Sequence, residues 1–313
     1  LVAGVRPVEE AFAARRDALR LFVAPGRRAT LERLVLHATT LRIPIIETEG
    51  GTLTAVTGFD GHQGVALVVR RRPSVSLADI AARTQLLGDQ ALVLAVDSLE
   101  DPQNLGTLLR SAEAAGVAGV LVPSRRAAPI SPAAVKASAG AVEHLDVAIL
   151  DDLPGALAEL HTRGLRIVGS DADARLTARE ADLRGPLVVV IGSEGRGISP
   201  AVRRRCDLMV RIPMHGKVGS LNAAVAGSVL LYEVVAQRAA GVAAERPPAE
   251  EPPSPVDGPA EASEAAAPSR KGRPRRTTSK PPEVPPMEPP PDTPEEPSPE
   301  PPAADDDLLP SDT

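Results

Sequence analysis

Three short stretches carry residue types that could meet at one site. They are "DPQNLGTLLR" with Asn104 and Arg110, "IGSEGRG" with Glu194, and "IPMHGKVGSLN" with Ser220 and Asn222. Singly, each has a plain structural explanation. On that reading Asn104 would cap the helix carrying Arg110, Arg110 would be a solvated charge, Glu194 would sit on an exposed turn, and Ser220 and Asn222 would be N-caps for the apolar run that follows. The sharper reading is that the polar start of that last helix also faces a site. Gly192, Gly195 and Gly197 give G-x-x-G-x-G late in the domain. That is not the G-x-G-x-x-G of a first dinucleotide-binding turn, and no Gly-Lys-Ser/Thr follows to make a phosphate loop. What remains is a glycine turn that lets backbone approach a small organic ligand closely.

The elements that must position these loops alternate along the chain. Residues 1–70 read helix "RPVEEAFAAR", strand "ALRLFVA", helix "RATLERLVLHATTL", strand "IPIIETE", the unassigned "LTAVTGFDGHQG", and strand "VALVVR". This is a small α/β unit. "RRPSVSLADIAARTQLLGDQ" interrupts the pattern as a linker with a short helix. From Ala91 the units lengthen. Strands are read in "ALVLAVDSL", "VAGVLVPS", "VEHLDVAIL", "LRIVGSD", "PLVVVIGSEG" and "LMVRIPM", and helices in "NLGTLLRSAEAAG", "SPAAVKASAGA", "LPGALAELHTRG", "SPAVRRRC" and "SLNAAVAGSVLLYEVVAQRAA". Near-continuous Val/Ile/Leu strands separated by helices predict a mostly parallel sheet covered on both faces, with ligands at the strands' carboxyl ends. The expected domains are 1–72, a linker at 73–89, a larger α/β domain at 90–243, and a tail at 244–313.

The tail is rich in Pro, Glu, Ala, Ser and Asp and poor in large apolar residues, which predicts disorder. It also distorts the charge balance. Of 35 Lys and Arg, 7 lie in 245–313; of 41 Asp and Glu, 16 do. That leaves 28 against 25 before it, so the body is about +3 in a chain of −6. A polyanionic partner is therefore not excluded, and Arg270–Lys280, "RKGRPRRTTSK", is either a nucleic-acid contact or a solvated island. The single Cys206 excludes an internal disulfide and a cysteine-rich metal site, and five scattered histidines form no ligand cluster. No run is apolar enough to span a bilayer and no leader is read, so a cytoplasmic protein is expected. Aromatics at 1% exclude base stacking on aromatic platforms.

Taken together and in this order, the three loops resemble the signature motifs of the SpoU (TrmH-type) RNA 2′-O-ribose methyltransferases of the SPOUT superfamily. Asn104 and Arg110 match Asn-x5-Arg, Gly192–Gly197 matches the glycine turn, and Ile212–Met214 with Ser220–Asn222 matches the third motif. "GVRPVEEAF", "GHQGVAL", "DPQNLGTLLRSAEAAGV" and "KASAGAVEHL" are further similar to the branch that methylates a guanosine of 23S rRNA, over roughly residues 1–240.

The resemblance implies a small N-terminal substrate-binding domain, a trefoil-knotted catalytic domain and a homodimer with the site near its interface. It implies transfer of a methyl group from S-adenosylmethionine to a ribose 2′-hydroxyl, without metal. By position, Arg110 activates the hydroxyl with help from RNA phosphate, or orients phosphate and oxygen while another group or water takes the proton. Asn104 orients the catalytic groups, Glu194 fixes the loop or the arginine, and Ser220 and Asn222 complete the site. The cofactor would meet Gly192, Ser193, Gly195, Gly197, Ile212, Pro213, Met214 and Leu221.

RNA contacts are expected from Arg6, Arg27, Arg28, Arg42, Arg70, Arg71 and Arg72, and from Arg125, Arg126, Arg196 and Lys217. His62 and Gln63 either face RNA or form a turn beside a satisfied histidine. Ribosomal RNA is the expected substrate, with tRNA as the neighbouring alternative. A non-catalytic RNA-binding or ribosome-assembly factor is the reading from another class, and an oxidoreductase is disfavoured by the glycine spacing.

Overall fold

The computed structural model describes residues 1–71 and 73–245. Arg72 and the segment from 246 onward, with its basic island, lie outside the described residues, and so do the expectations placed on them.

Residues 1–69 build a four-stranded sheet from β1 (Val2–Ala3), β2 (Ala18–Val23), β3 (Ile45–Glu47) and β4 (Val65–Val69), with α1 (Val5–Ala13), α2 (Glu32–Thr40) and α3 (Gly50–Thr57) between them. The order is β1-β4-β2-β3, with β4 antiparallel to both neighbours and β2 parallel to β3. α3 starts at Gly50, just before the stretch read as unassigned, and runs into it from Leu53 to Thr57. Its sequence, GGTLTAVT, has little helical amphipathicity to read, and it is anchored by the single buried Leu53 and by Thr57.

The segment read as a linker carries α4 (Leu77–Leu87), started by a capping box. The Ser76 amide donates to Asp79 Oδ2 at 2.8 Å and the Asp79 amide to Ser76 Oγ at 3.2 Å. Its Ile80 and Ala81 are buried with the residues of the following sheet.

That sheet contains β5 (Leu92–Val96), β6 (Gly119–Pro123), β7 (Val147–Leu150), β8 (Arg166–Ser170), β9 (Leu176–Thr177), β10 (Leu187–Ile191) and β11 (Leu208–Arg211). Its order is β7-β6-β5-β10-β8-β11-β9, and every pairing is parallel. β5 and β10 run in register at the centre, with Ile191 opposite Val96, and every residue of both is buried. Their alternate side chains feed two layers. Leu92, Leu94 and Val96 join α5 (Pro102–Ala114) and α9 (Ala223–Glu245) on one face. Val93 and Ala95 join α7 (Leu153–Thr162) and α8 (Pro200–Arg203) on the other. α6 (Pro132–Ala137) packs against α5.

Several expected strands are shorter than read, among them the two that follow. Ala141–His144 is a 3-10 turn, so the strand in "VEHLDVAIL" starts only at Val147. β11 stops at Arg211, freeing Ile212–Met214 as loop. The N-terminal sheet unit is tied to this 3-10 turn by Arg16 Nη1, which donates to Glu143 Oε2 at 2.5 Å with both side chains largely buried.

Candidate active site

The strand order reverses direction at β5 and β10, the place where such sheets open a crevice at their carboxyl ends. The first motif leaves β5 and the second leaves β10. The third leaves β11, after which the chain returns to lay α9 against α5 and β10. Two close approaches fix that return. A Cβ on Gly227 of α9 would stand 2.5 Å from Cδ1 of the buried Leu108 of α5, so a larger residue would have to displace that side chain. Ser111 and Ser228 hydroxyls meet at 2.6 Å one turn further along.

The turn after β10 closes on itself. Ser193 and Gly197 exchange both backbone hydrogen bonds, at 3.1 and 2.9 Å. A Cβ on Gly192 would lie 2.2 Å from the Gly197 carbonyl carbon, so glycine is required there. Below the turn, the buried Asp97 accepts the Ser199 amide at 2.7 Å and the Ser98 hydroxyl at 3.2 Å. This support was not read from sequence; a lone Asp at the end of an apolar strand gave the only signal.

Three motif residues meet in one hydrogen-bonded ring. Glu194 Oε1 accepts from Asn104 Nδ2 and from Asn222 Nδ2, each at 2.6 Å. Asn222 Nδ2 also donates to Asn104 Oδ1 at 2.9 Å. The same Asn222 caps α9, its Oδ1 accepting the Ala224 and Val225 amides at 2.9 and 3.2 Å. Capping and site-building therefore use opposite ends of one amide. Ser220 lies outside the cap and lines the adjoining cavity.

Arg110 does not join the ring. It lies nearly two turns beyond Asn104 on α5, exposed, and lines neither cavity described here. Of the two partners expected for Glu194, the loop or the arginine, its hydrogen bonds here go to the amides of Asn104 and Asn222 and not to Arg110.

A cavity of about 320 Å³ opens against the turn at the ends of β10, β8 and β11. Gly192, Ser193, Gly195, Gly197, Ile212, Met214 and Leu221 line it, with Glu194 and Ser220; Pro213 does not. Its far side is Ser170–Asp173, which the sequence reading missed although "SDAD" follows an apolar strand. The Asp171 carboxyl is held below its ordinary 3.8 by the Asp173 amide and then by its hydrogen bond with Arg203. A second cavity of about 500 Å³ lies across Ser193–Gly197 from the first, with Asn104 and Glu194 in its wall.

Among the basic candidates, Arg6 pairs with Glu9, Arg28 with Glu47 and Arg70 with Asp17. His62 is buried and satisfied by the Gly64 amide and Thr54 hydroxyl, so it turns inward; Gln63 accepts the Val5 amide. Among the described residues, no group of three or more His, Cys, Asp or Glu could hold a metal ion, and no helix is long and apolar enough to cross a membrane.

The SpoU rRNA Methylase family matches residues 91–232, and the family described as RNA 2′-O ribose methyltransferase substrate binding matches 1–75. YacO of Bacillus subtilis (strain 168), named as a TrmH family tRNA/rRNA methyltransferase, is 43% identical over 177 residues, covering 56% of this chain and 71% of that one. A protein of Mycobacterium sp. (strain KMS), named an uncharacterized tRNA/rRNA methyltransferase, is 41% identical over 240 residues, 76% of each chain. Among solved structures, the SpoU methyltransferase AviRb from Streptomyces viridochromogenes, in complex with the cofactor AdoMet, matches with TM-score 0.64 and 29% identity over 77% of this chain and 90% of that one.

Proposed function

Because this chain belongs to the SpoU (TrmH-type) family of RNA methylases, we propose that it transfers a methyl group from S-adenosylmethionine to the 2′-hydroxyl of a guanosine in 23S rRNA, in the cytoplasm. The observation that carries this reading is the ring of Asn104, Glu194 and Asn222, which ties all three motif loops together beside a ligand-sized cavity.

The chemistry of that cavity suits the cofactor. Glycine backbone at 192–197 lets a ligand approach closely, Ile212, Met214 and Leu221 offer apolar cover for an adenine, and the Asp171 carboxylate accepts from hydroxyl or ammonium donors. When bound, S-adenosylmethionine supplies an electrophilic methyl group on a sulfonium. The chain's own residues orient the acceptor. Two amides hold Glu194 by charge-assisted hydrogen bonds and fix the turn between the cavities. Asn222 transmits the position of α9 to that carboxylate.

Arg110 stands apart in the single chain, and in this reading it acts when RNA arrives, orienting phosphate and the attacking oxygen. A homodimer completes the site. Val225, Val229 and Tyr232 leave an apolar stripe exposed along α9, the helix that α5 packs beside, and a second copy covers it. The return of α9 from the β11 side to β10 and α5 is the path on which the reading places the family's knot.

The test is methyl transfer from labelled S-adenosylmethionine to unmodified 23S rRNA and to tRNA, with the labelled ribose mapped. The reading expects 23S rRNA; label confined to tRNA would move the substrate while keeping the chemistry.

A further inference from the structure

We infer that the second cavity, across the 193–197 turn from the cofactor cavity, receives the base of the target nucleotide, and that Glu100 reads its Watson–Crick edge as guanine. The inference rests on the proposed methyl transfer and adds where base choice is made. A ribose 2′-oxygen lies on the carbon next to the one that carries the base. With the oxygen at the Asn104–Glu194 ring, the base must enter space adjoining that ring, and this cavity has Asn104 and Glu194 in its wall. Its volume of about 500 Å³ is in the range of ligand pockets, roughly 300–1,000 Å³.

The cavity presents opposite charges that do not engage each other. Glu100, Arg126 and Arg196 line it, and none makes a hydrogen bond or ion pair among the described residues. Glu100 is nevertheless held on a fixed frame. Before it, Leu99 is buried and its carbonyl accepts the Ala128 amide at 2.7 Å, which pins the turn carrying Arg126. After it, Asp101 caps α5 through the Gln103 amide at 2.9 Å, which commits that carboxylate and leaves Glu100 as the acid open to a ligand.

A carboxylate accepts two donors side by side, and guanine offers N1–H beside N2–H on one edge; the other bases offer a single donor group there. A base taken out of its stack exposes this edge. Arg126 and Arg196 suit the flanking phosphates. With no aromatic side chain in the wall, the exposed Pro200 and the guanidinium planes supply the faces.

The test uses the full-length protein, labelled S-adenosylmethionine and unmodified rRNA transcripts, digested to nucleosides after reaction. Wild type should label 2′-O-methylguanosine. Glu100→Gln should lower kcat/KM about 10- to 100-fold, the loss expected for a hydrogen bond to a charged group, with the cofactor Kd and melting temperature unchanged. Transcripts with inosine for guanosine, which lack N2–H, should cost wild type about 10-fold and cost Glu100→Gln little more, because the two changes remove one contact. Full activity of Glu100→Gln on guanosine, losses from Glu100→Gln and inosine that simply multiply, or label confined to another nucleoside would each overturn the inference while leaving the methyltransferase reading intact. If wild type labels no RNA, that reading fails and this one falls with it.

Discussion

Asn222 Nδ2 donates to Glu194 Oε1 at 2.6 Å while its own Oδ1 accepts the amide of Ala224, so a single side chain both starts the last helix and clamps the carboxylate on the glycine turn. The two jobs can be separated. Asn222→Asp keeps a cap oxygen but sets a second carboxylate against Glu194. Its melting temperature should stay close to wild type while kcat/KM falls about 100-fold, a loss in the range seen when one positioned catalytic contact is removed. Asn222→Ala should lose both functions and about 1 kcal/mol of stability. Denaturant melts and methyl-transfer assays on both variants check this; wild-type turnover in Asn222→Asp would show the ring to be structural only.

Arg110 is exposed and without a partner among the described residues, so its removal should leave the fold alone. Arg110→Ala should change stability by less than about 0.5 kcal/mol and leave calorimetric cofactor affinity unchanged, yet lose turnover by about 100-fold or more. Equal turnover in both proteins would remove Arg110 from the mechanism.

The Asp171 carboxyl is stabilised as an anion by the Asp173 amide and Arg203, and its folded pKa lies below the ordinary 3.8. A depressed acid contributes stability that is complete above its unfolded value and is lost as pH falls through the folded one. Melting temperatures of wild type and Asp171→Asn should therefore differ by a constant amount from neutral pH down to about 4, the ordinary carboxylate value, and converge only in stronger acid. A gap that closes already near pH 6 would contradict the assignment.

Arg125, Arg126, Arg196 and Lys217 make no ion pair among the described residues, unlike Arg6, Arg28 and Arg70. Phosphate neutralisation by these groups predicts that log K for RNA falls linearly with log salt, and that Arg126→Ala lowers the slope by about 0.7 to 0.9, the share of one phosphate contact. Filter binding across a salt series measures it. Arg28→Ala, already paired with Glu47, should change the slope less; a larger effect there would reverse the ranking.

Much of this was legible because strong local signals agree with the fold. β5 and β10 are unbroken apolar runs, buried on both faces, and their ends carry the motif loops. The meeting of Asn104, Glu194 and Asn222 was readable only through the motif set, since no spacing in sequence brings together residues 90 and 118 positions apart. Elements lacking a periodic signal escaped. α3 has little amphipathic pattern, β1 and β9 are two residues each, and Asp97 and Asp171 matter through backbone partners that only the folded chain supplies. His62 lay between two readings until its burial and two hydrogen bonds settled it.

The most direct test of the central claim is mass-spectrometric analysis of nucleosides from unmodified rRNA incubated with the full-length protein and methyl-labelled S-adenosylmethionine. The account predicts the label on a ribose 2′-oxygen for wild type and its loss in Asn222→Asp. Label on a base, or undiminished ribose labelling by that variant, would contradict it.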